Sequence, residues 1–288
     1  MEQARTAPLH DHAALNALGE LLAQTPLLVV TGAGISVASG IPDYRDAEGM
    51  RRGSAPMMHQ EFIGSASARR RYWARAMFGW RAVGSAQPNA THRALAALQQ
   101  GGRLSGLITQ NVDGLHQAAG SREVIELHGN LSRVVCLGCG ETLAREAVQQ
   151  VLETLNPALQ DVRAVLAPDG DALLAAEHLG SFRPPPCPHC GSDLLKPDVV
   201  FFGDGVPAAQ ALAAWEAVQR ASGLLVLGSS LMTFSSFRLC REIAQQGKPL
   251  IAVNLGKTRA DELLSAKIEL PCEEVLPWLA NRLQVPLL

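Results

Sequence analysis

The chain has 288 residues, 47% of them hydrophobic and 18% charged, with 25 Lys and Arg against 27 Asp and Glu for a formal charge of −2. At roughly 150 residues per domain this length predicts about two compact units, and the near-neutral balance excludes the basic footprint of a nucleic-acid binder or of an anionic-membrane binder. The apolar runs, such as residues 223–228, fall far short of the roughly 20 residues of a membrane-spanning helix, and the first 25 residues hold no apolar core with a cleavage site, so a cytoplasmic compartment is expected.

In chain order, residues 11–24 read as an amphipathic helix leading into a first apolar run, 26–31. Gly32-Ala33-Gly34 follows, where backbone amides could cradle a pyrophosphate at a helix start. The dinucleotide fingerprint is incomplete: Val37 stands where its third glycine belongs, and no acidic residue closes the following strand, which leaves Asn254 as the candidate ribose contact. Residues 43–100 lack a strand-like run and read as helix and loop, with a helix over 92–99 and a basic stretch Arg69-Arg70-Arg71. Further apolar runs occupy 104–109, 124–127, 223–228 and 249–254, and a helix opened by Pro207 spans 207–221.

Runs that are apolar on both faces and alternate with helical patterns predict an α/β fold, a Rossmann-like open parallel sheet with helices on both faces. Its carboxyl edge, where ligands of such sheets bind, would present Gly32–Ser36, Gln110-Asn111-Val112-Asp113, His128-Gly129, Gly228-Ser229-Ser230 and Asn254-Leu255-Gly256. The expected division is 1–42, 101–130 and 205–288 for the Rossmann-like sheet domain, 43–100 for a helical insertion, and 131–204 for a metal-binding module.

That module follows from cysteine spacing. Cys136/Cys139 and Cys187/Cys190 form two Cys-x-x-Cys knuckles, each followed by glycine (Gly140, Gly191), where a side chain would obstruct the turn of amides toward sulfur. Four thiolates suit tetrahedral Zn²⁺, and a closed four-sulfur shell makes the ion structural. The 47 residues of 140–186 exceed a simple zinc ribbon, so an insertion separates the knuckles. Cys240 reads as a buried small hydrophobe.

Taken together and in this order, Gly32–Ser36, Gly40-Ile-Pro-Asp-Tyr-Arg45, Gln110–Asp113, His128-Gly129, the zinc knuckles, Gly228–Ser230 and Asn254–Gly256 resemble the sirtuins, NAD-dependent protein lysine deacylases, over roughly residues 15–280. Arg71-Tyr-Trp-Ala-Arg75, Ala167-Pro-Asp-Gly-Asp171, Lys196–Asp204 and the long insertion look like the class II, sirtuin-4-like branch. The resemblance implies that acyl-lysine proteins or peptides are the substrates and that the acyl group passes to ADP-ribose with release of nicotinamide. It places Gly32, Ala33, Gly34 and Ile35, Asp43, Tyr44 and Arg45 of a mobile loop, Gln110, Asn111, Asp113, Gly228, Ser229, Ser230, Asn254, Leu255, Gly256 and Cys272 around NAD. Asn111 would contact ribose or a water, Asp113 would accept from the carboxamide, and His128 would take a ribose hydroxyl proton as general base.

An extended Val199–Gly203 segment, with Val200, Phe201 and Gly203, could receive the peptide as an added strand. The segment 231–236 lacks the proline that many sirtuins carry after the matching motif. Tyr72 and Arg75, three apart on a predicted helix, could read a carboxylate-tipped acyl chain. Two other readings use the same residues: mono-ADP-ribosyl transfer to a protein acceptor, and a zinc-stabilised NAD-sensing scaffold without turnover. Hydride transfer is disfavoured by the incomplete fingerprint.

Overall fold

A computed structural model describes residues 9–50, 56–159, 165–166, 172–173 and 180–287; the 167–171 motif lies outside them. Helix α1 (Leu9–Gln24) leads to β1 (Leu27–Thr31), a 3-10 helix (Ala33–Ser39) follows, and α2 (His59–Gly64), α3 (Ala66–Ser85) and α4 (Ala90–Gln100) precede β2 (Leu104–Thr109). After α5 (Leu115–Ala118) and β3 (Ile125–Glu126) come β4 (Gly129–Cys136), β5 (Thr142–Ala144), α6 (Arg145–Leu155) and the short β6 (Val165–Leu166) and β7 (Ala172–Leu173). Strand β8 (Leu195–Val199), α7 (Ala208–Arg220), β9 (Leu224–Leu227), α8 (Phe234–Gln245), β10 (Leu250–Val253), β11 (Ala266–Ile268) and α9 (Cys272–Arg282) follow.

The main sheet has the order β11-β10-β9-β1-β2-β3, and every pairing in it is parallel. The expected doubly covered sheet is therefore present, with all five anticipated strands. Its alternation is the period-two rule of a strand: Leu27 and Val29 pack with Leu18, Leu22, Leu95 and Leu276, beneath α1, α4 and α9. Leu28 and Val30 point the other way, to Val218, Leu239 and Ile243 of α7 and α8. No residue of β1, β9 or β10 escapes burial, which is why these strands read as continuous apolar runs.

A second, three-stranded sheet, β5-β4-β8, is antiparallel. Its core joins segments far apart in sequence: Phe62, Trp73 and Met77 of α2 and α3 pack with Val134, Leu152, Leu195 and Phe201. The Trp73 indole Nε1 donates to the Leu195 carbonyl at 3.0 Å, and Arg69 reaches Asp193 at 2.7 Å. Arg69, expected in a basic stretch, is thus buried and paired. Among the described residues no helix is long and apolar enough to cross a membrane.

Candidate active site

The carboxyl ends of β1, β2, β9 and β10 and the β3–β4 junction border one cavity of ≈1100 Å³, above the roughly 300–1,000 Å³ of ordinary ligand pockets. Gly32, Ala33, Gly34, Asp43, Tyr44, Arg45, Gln110, Asn111, His128, Gly228, Ser229, Ser230, Asn254, Leu255 and Cys272 all line it, as do Tyr72, Val200, Phe201 and Gly203 from the second core. Ile35, Asp113, Gly256 and Arg75 are not among its lining residues. The space and its convergent polar groups fit a dinucleotide with a peptide side chain beside it.

The glycines of the first loop act differently from the expectation. The amides of Gly32, Gly34 and Ile35 are engaged by Leu227, Gly228 and Gly32 carbonyls at 3.0, 2.9 and 3.2 Å, so most of that run is not open to a phosphate. A Cβ at Gly34 would lie 2.8 Å from the Gly228 oxygen, and one at Gly32 2.7 Å from the Ser229 Cβ. Glycine is required here because two strand-end loops touch, and Gly228 itself holds φ 55°. Gly256, at φ 88°, lies against Ala47, and the Lys257 amide donates to the Ala47 carbonyl at 2.8 Å, tying the β10 tip to the loop of Asp43–Arg45. The Asn254 side-chain Nδ2 donates to its own loop carbonyls at Leu255 and Gly256, and Asn254 lines the cavity.

Polar side chains behind the wall form chains of hydrogen bonds. Asn111 Nδ2 donates to the Gly32 carbonyl and to Ser36 Oγ, both at 3.1 Å, and Ser36 donates to Asp113 Oδ2 at 2.7 Å. Burial raises the Asp113 carboxyl pKa, opposed by the Leu115 amide and Ser36. Asp113 thus braces Asn111 through Ser36, its other oxygen accepting from the Leu115 amide at 3.0 Å. Beneath them, His116 Nε2 lies 2.9 Å from Thr31 Oγ1, which donates to Thr109 Oγ1 at 2.8 Å.

His128 occupies the turn between the two sheets. Gly129 follows at φ 83° with the Asp198 carbonyl where a Cβ would be, so the chain can turn there only with glycine. The ring is held at both ends: Nδ1 is 3.1 Å from the Gln110 carbonyl and Nε2 is 2.9 Å from Ser235 Oγ. Burial lowers its pKa, with the Gln110 carbonyl opposing, which favours the neutral imidazole. Ser235 and Thr233 are site residues that pattern reading passed over; the missing proline in 231–236 was the available signal.

On the substrate side, the Val200 amide donates to the His128 carbonyl at 2.9 Å, and Phe202 bridges to Met58 in parallel. Phe201 and Tyr72 pack with Phe62, ring centroids 5.2–5.4 Å apart. Cys272 opens α9 beside the wall, its thiol pushed up to about 12 by burial and Glu273.

The four knuckle sulfurs lie within 4.8 Å of one another, Cys136 to Cys190 at 3.6 Å and Cys139 to Cys187 at 3.8 Å. Tetrahedral Zn–S bonds of about 2.3 Å require sulfur separations of about 3.8 Å, so the set fits zinc. Gly140 and Gly191 serve it through φ of 79° and 71°; a Cβ at either would meet nothing within 4 Å, so conformation and not obstruction selects glycine.

Residues 32–235 match the model of the Sir2 family. A "NAD-dependent protein deacetylase 3" of Pseudomonas syringae is 58% identical over 93% of this chain and 96% of its own length. "NAD-dependent protein deacetylase 1" of Streptomyces coelicolor is 51% identical over 89% and 86%. Solved structures agree: one described as "Structural Basis for the Mechanism and Regulation of Sir2 Enzymes" superposes with TM-score 0.75 at 31% identity, covering 95% of this chain and 98% of that one. Another, "Sir2-p53 peptide-NAD+", gives 0.73 at 30% identity over 94% and 99%. With strand order, knuckles and loop glycines in one frame and the family match spanning most of its length, this chain belongs to the Sir2 family.

Proposed function

We propose that this protein is an NAD-dependent protein lysine deacylase of the deacetylase type, with His128 as general base. The observation that carries the reading is an imidazole on the wall of the cavity where five loops meet, held by the Gln110 carbonyl, with Asn111 lining the same cavity. Bound NAD supplies a nicotinamide–ribose bond whose cleavage leaves an electrophilic sugar carbon for the acyl oxygen. The chain's own residues do the rest. Asn111, fixed by Gly32 and Ser36, orients a ribose hydroxyl or a water. His128 Nε2 takes the hydroxyl proton that starts acyl transfer. Phe201 and Tyr72 flank the lysine stem with apolar surface and exclude water. The knuckle cysteines would hold zinc, which closes their turns and supplies no catalysis.

Finer readings go with it. The division into 1–42/101–130/205–288, 43–100 and 131–204, the class II kinship suggested by Lys196–Asp204, and a cytoplasmic compartment extend the sequence reading. Of the Tyr72–Arg75 pair only Tyr72 lines the cavity, which favours a role in flanking the acyl chain over reading a carboxylate. The test is nicotinamide release from NAD with an acetyl-lysine peptide, products identified by mass. His128→Ala should lower the rate of deacylated-peptide formation by about 10²–10⁴; undiminished deacylation by that variant, or ADP-ribose found on the protein acceptor, would refute the assignment.

A further inference from the structure

We propose that Ser235 is the positioning residue of His128: its hydroxyl donates to Nε2, holds the ring in the tautomer that can accept a proton, and yields that nitrogen to the substrate hydroxyl. The inference rests on the reading of His128 as base.

Hydrogen-bond chemistry fixes each role. The Gln110 carbonyl, 3.1 Å from Nδ1, can only accept, so Nδ1 carries the ring proton. In the neutral ring Nε2 then presents a lone pair, and the Ser235 hydroxyl 2.9 Å away is its donor. Serine and imidazole both line the cavity.

The arrangement is also mechanically closed. Ser235 sits in the first turn of α8, two residues after the Thr233 N-cap. Thr233 Oγ1 donates to Gln110 Oε1 at 3.0 Å and lies 2.8 Å from Ser236 Oγ. Gln110 Nε2 in turn donates to Ser229 Oγ at 2.8 Å. Gln110 is therefore bonded through its backbone to His128 and through its side chain to the helix that bears Ser235. This circuit runs through Gln110, His128, Ser235 and Thr233, and it sets the serine–imidazole distance independently of any ligand.

A hydrogen bond given to the neutral form stabilises that form and lowers the pKa, as burial does. The charged groups on the elements next to the ring's loop are Asp113 after β2, Glu126 of β3 paired with Arg133 of β4, Lys196 and Asp198 on β8, and Arg238 further along α8. Asp43 and Arg45 line the cavity from the cofactor loop, as does Asp204. All are shared by the native protein and a Ser235 variant, so a difference between the two reports the hydroxyl.

The experiment compares full-length native protein, Ser235→Ala and Ser235→Thr. Alanine is tolerated in a helical first turn, and circular dichroism checks the fold. By NMR of labelled imidazole, the His128 pKa should rise in Ser235→Ala by roughly 0.4 to 1 unit, the span of one neutral hydrogen bond. The acid limb of kcat/KM for formation of deacylated peptide should move by the same amount, and Ser235→Thr should restore both. An unmoved pKa and acid limb in Ser235→Ala, with His128→Ala inactive, would overturn the serine assignment alone. Full turnover by His128→Ala would overturn the base assignment and this inference with it.

Discussion

The two histidines under the site floor make the fold acid-sensitive in a calculable way. His92 and His116 are 0% and 1% exposed, with ring centroids 5.1 Å apart. Burial, reinforced by Arg93, lowers His92 to about 4, and burial, reinforced by His92, lowers His116 to about 3. The His92 Nδ1 accepts from the Asn89 amide, closing the α4 capping box, so this ring works only when neutral. Between the unfolded value near 6.5 and these folded values, only the unfolded chain binds the protons. Stability is therefore full above about 6.5 and falls as pH drops. At 1.36 kcal/mol per unit per group, the pair costs about 4 kcal/mol between pH 7 and pH 5, against a total of roughly 5–15 for a domain. His116→Gln, whose amide can still donate to Thr31, removes one titrating group and should cut that loss to about 2 kcal/mol, whatever its effect at pH 7. Urea unfolding at pH 5, 6 and 7, with constant slope on denaturant, measures it. Equal losses in variant and native protein would show that His116 does not titrate on unfolding.

Removing zinc with a chelator, or Cys187→Ser, should loosen the β4–β8 sheet and the Trp73 environment, read as a tryptophan fluorescence shift and restored by Zn²⁺ in the chelated sample. Gly34→Ala places a Cβ 2.8 Å from the Gly228 oxygen; parting these loops should raise the KM for NAD by about an order of magnitude or more, checked by steady-state kinetics. Trp73→Ala removes a fully buried ring and its bond to Leu195, and should cost about 3–5 kcal/mol in the unfolding free energy.

The central strands were legible because burial on both faces leaves an unbroken apolar string, and Gly223–Gly228 or Pro249–Asn254 has no other reading. Strand β11 was not: Ala266-Lys267-Ile268 is three residues at a sheet edge, with a lysine in the middle. Helix α9 hid behind Pro277, a residue that normally ends a helix. In the site, side chains at strand ends were visible as polar tips, whereas Ser235 lies 107 positions from His128 and only the fold brings it there. Asp113 illustrates the converse. Its position in the sequence pointed to a ligand contact, and the fold adds what the sequence could not show: both carboxylate oxygens are also bonded within the chain, to Ser36 and the Leu115 amide.

The shared core around Trp73 means that the segments before β2 and after β3 are two halves of one packed body, contributed by two separate excursions of the chain from the main sheet. Neither can be trimmed or exchanged between relatives by itself without stranding apolar surface on the other. Chimeras meant to transplant acyl or peptide preference would have to carry both pieces across together.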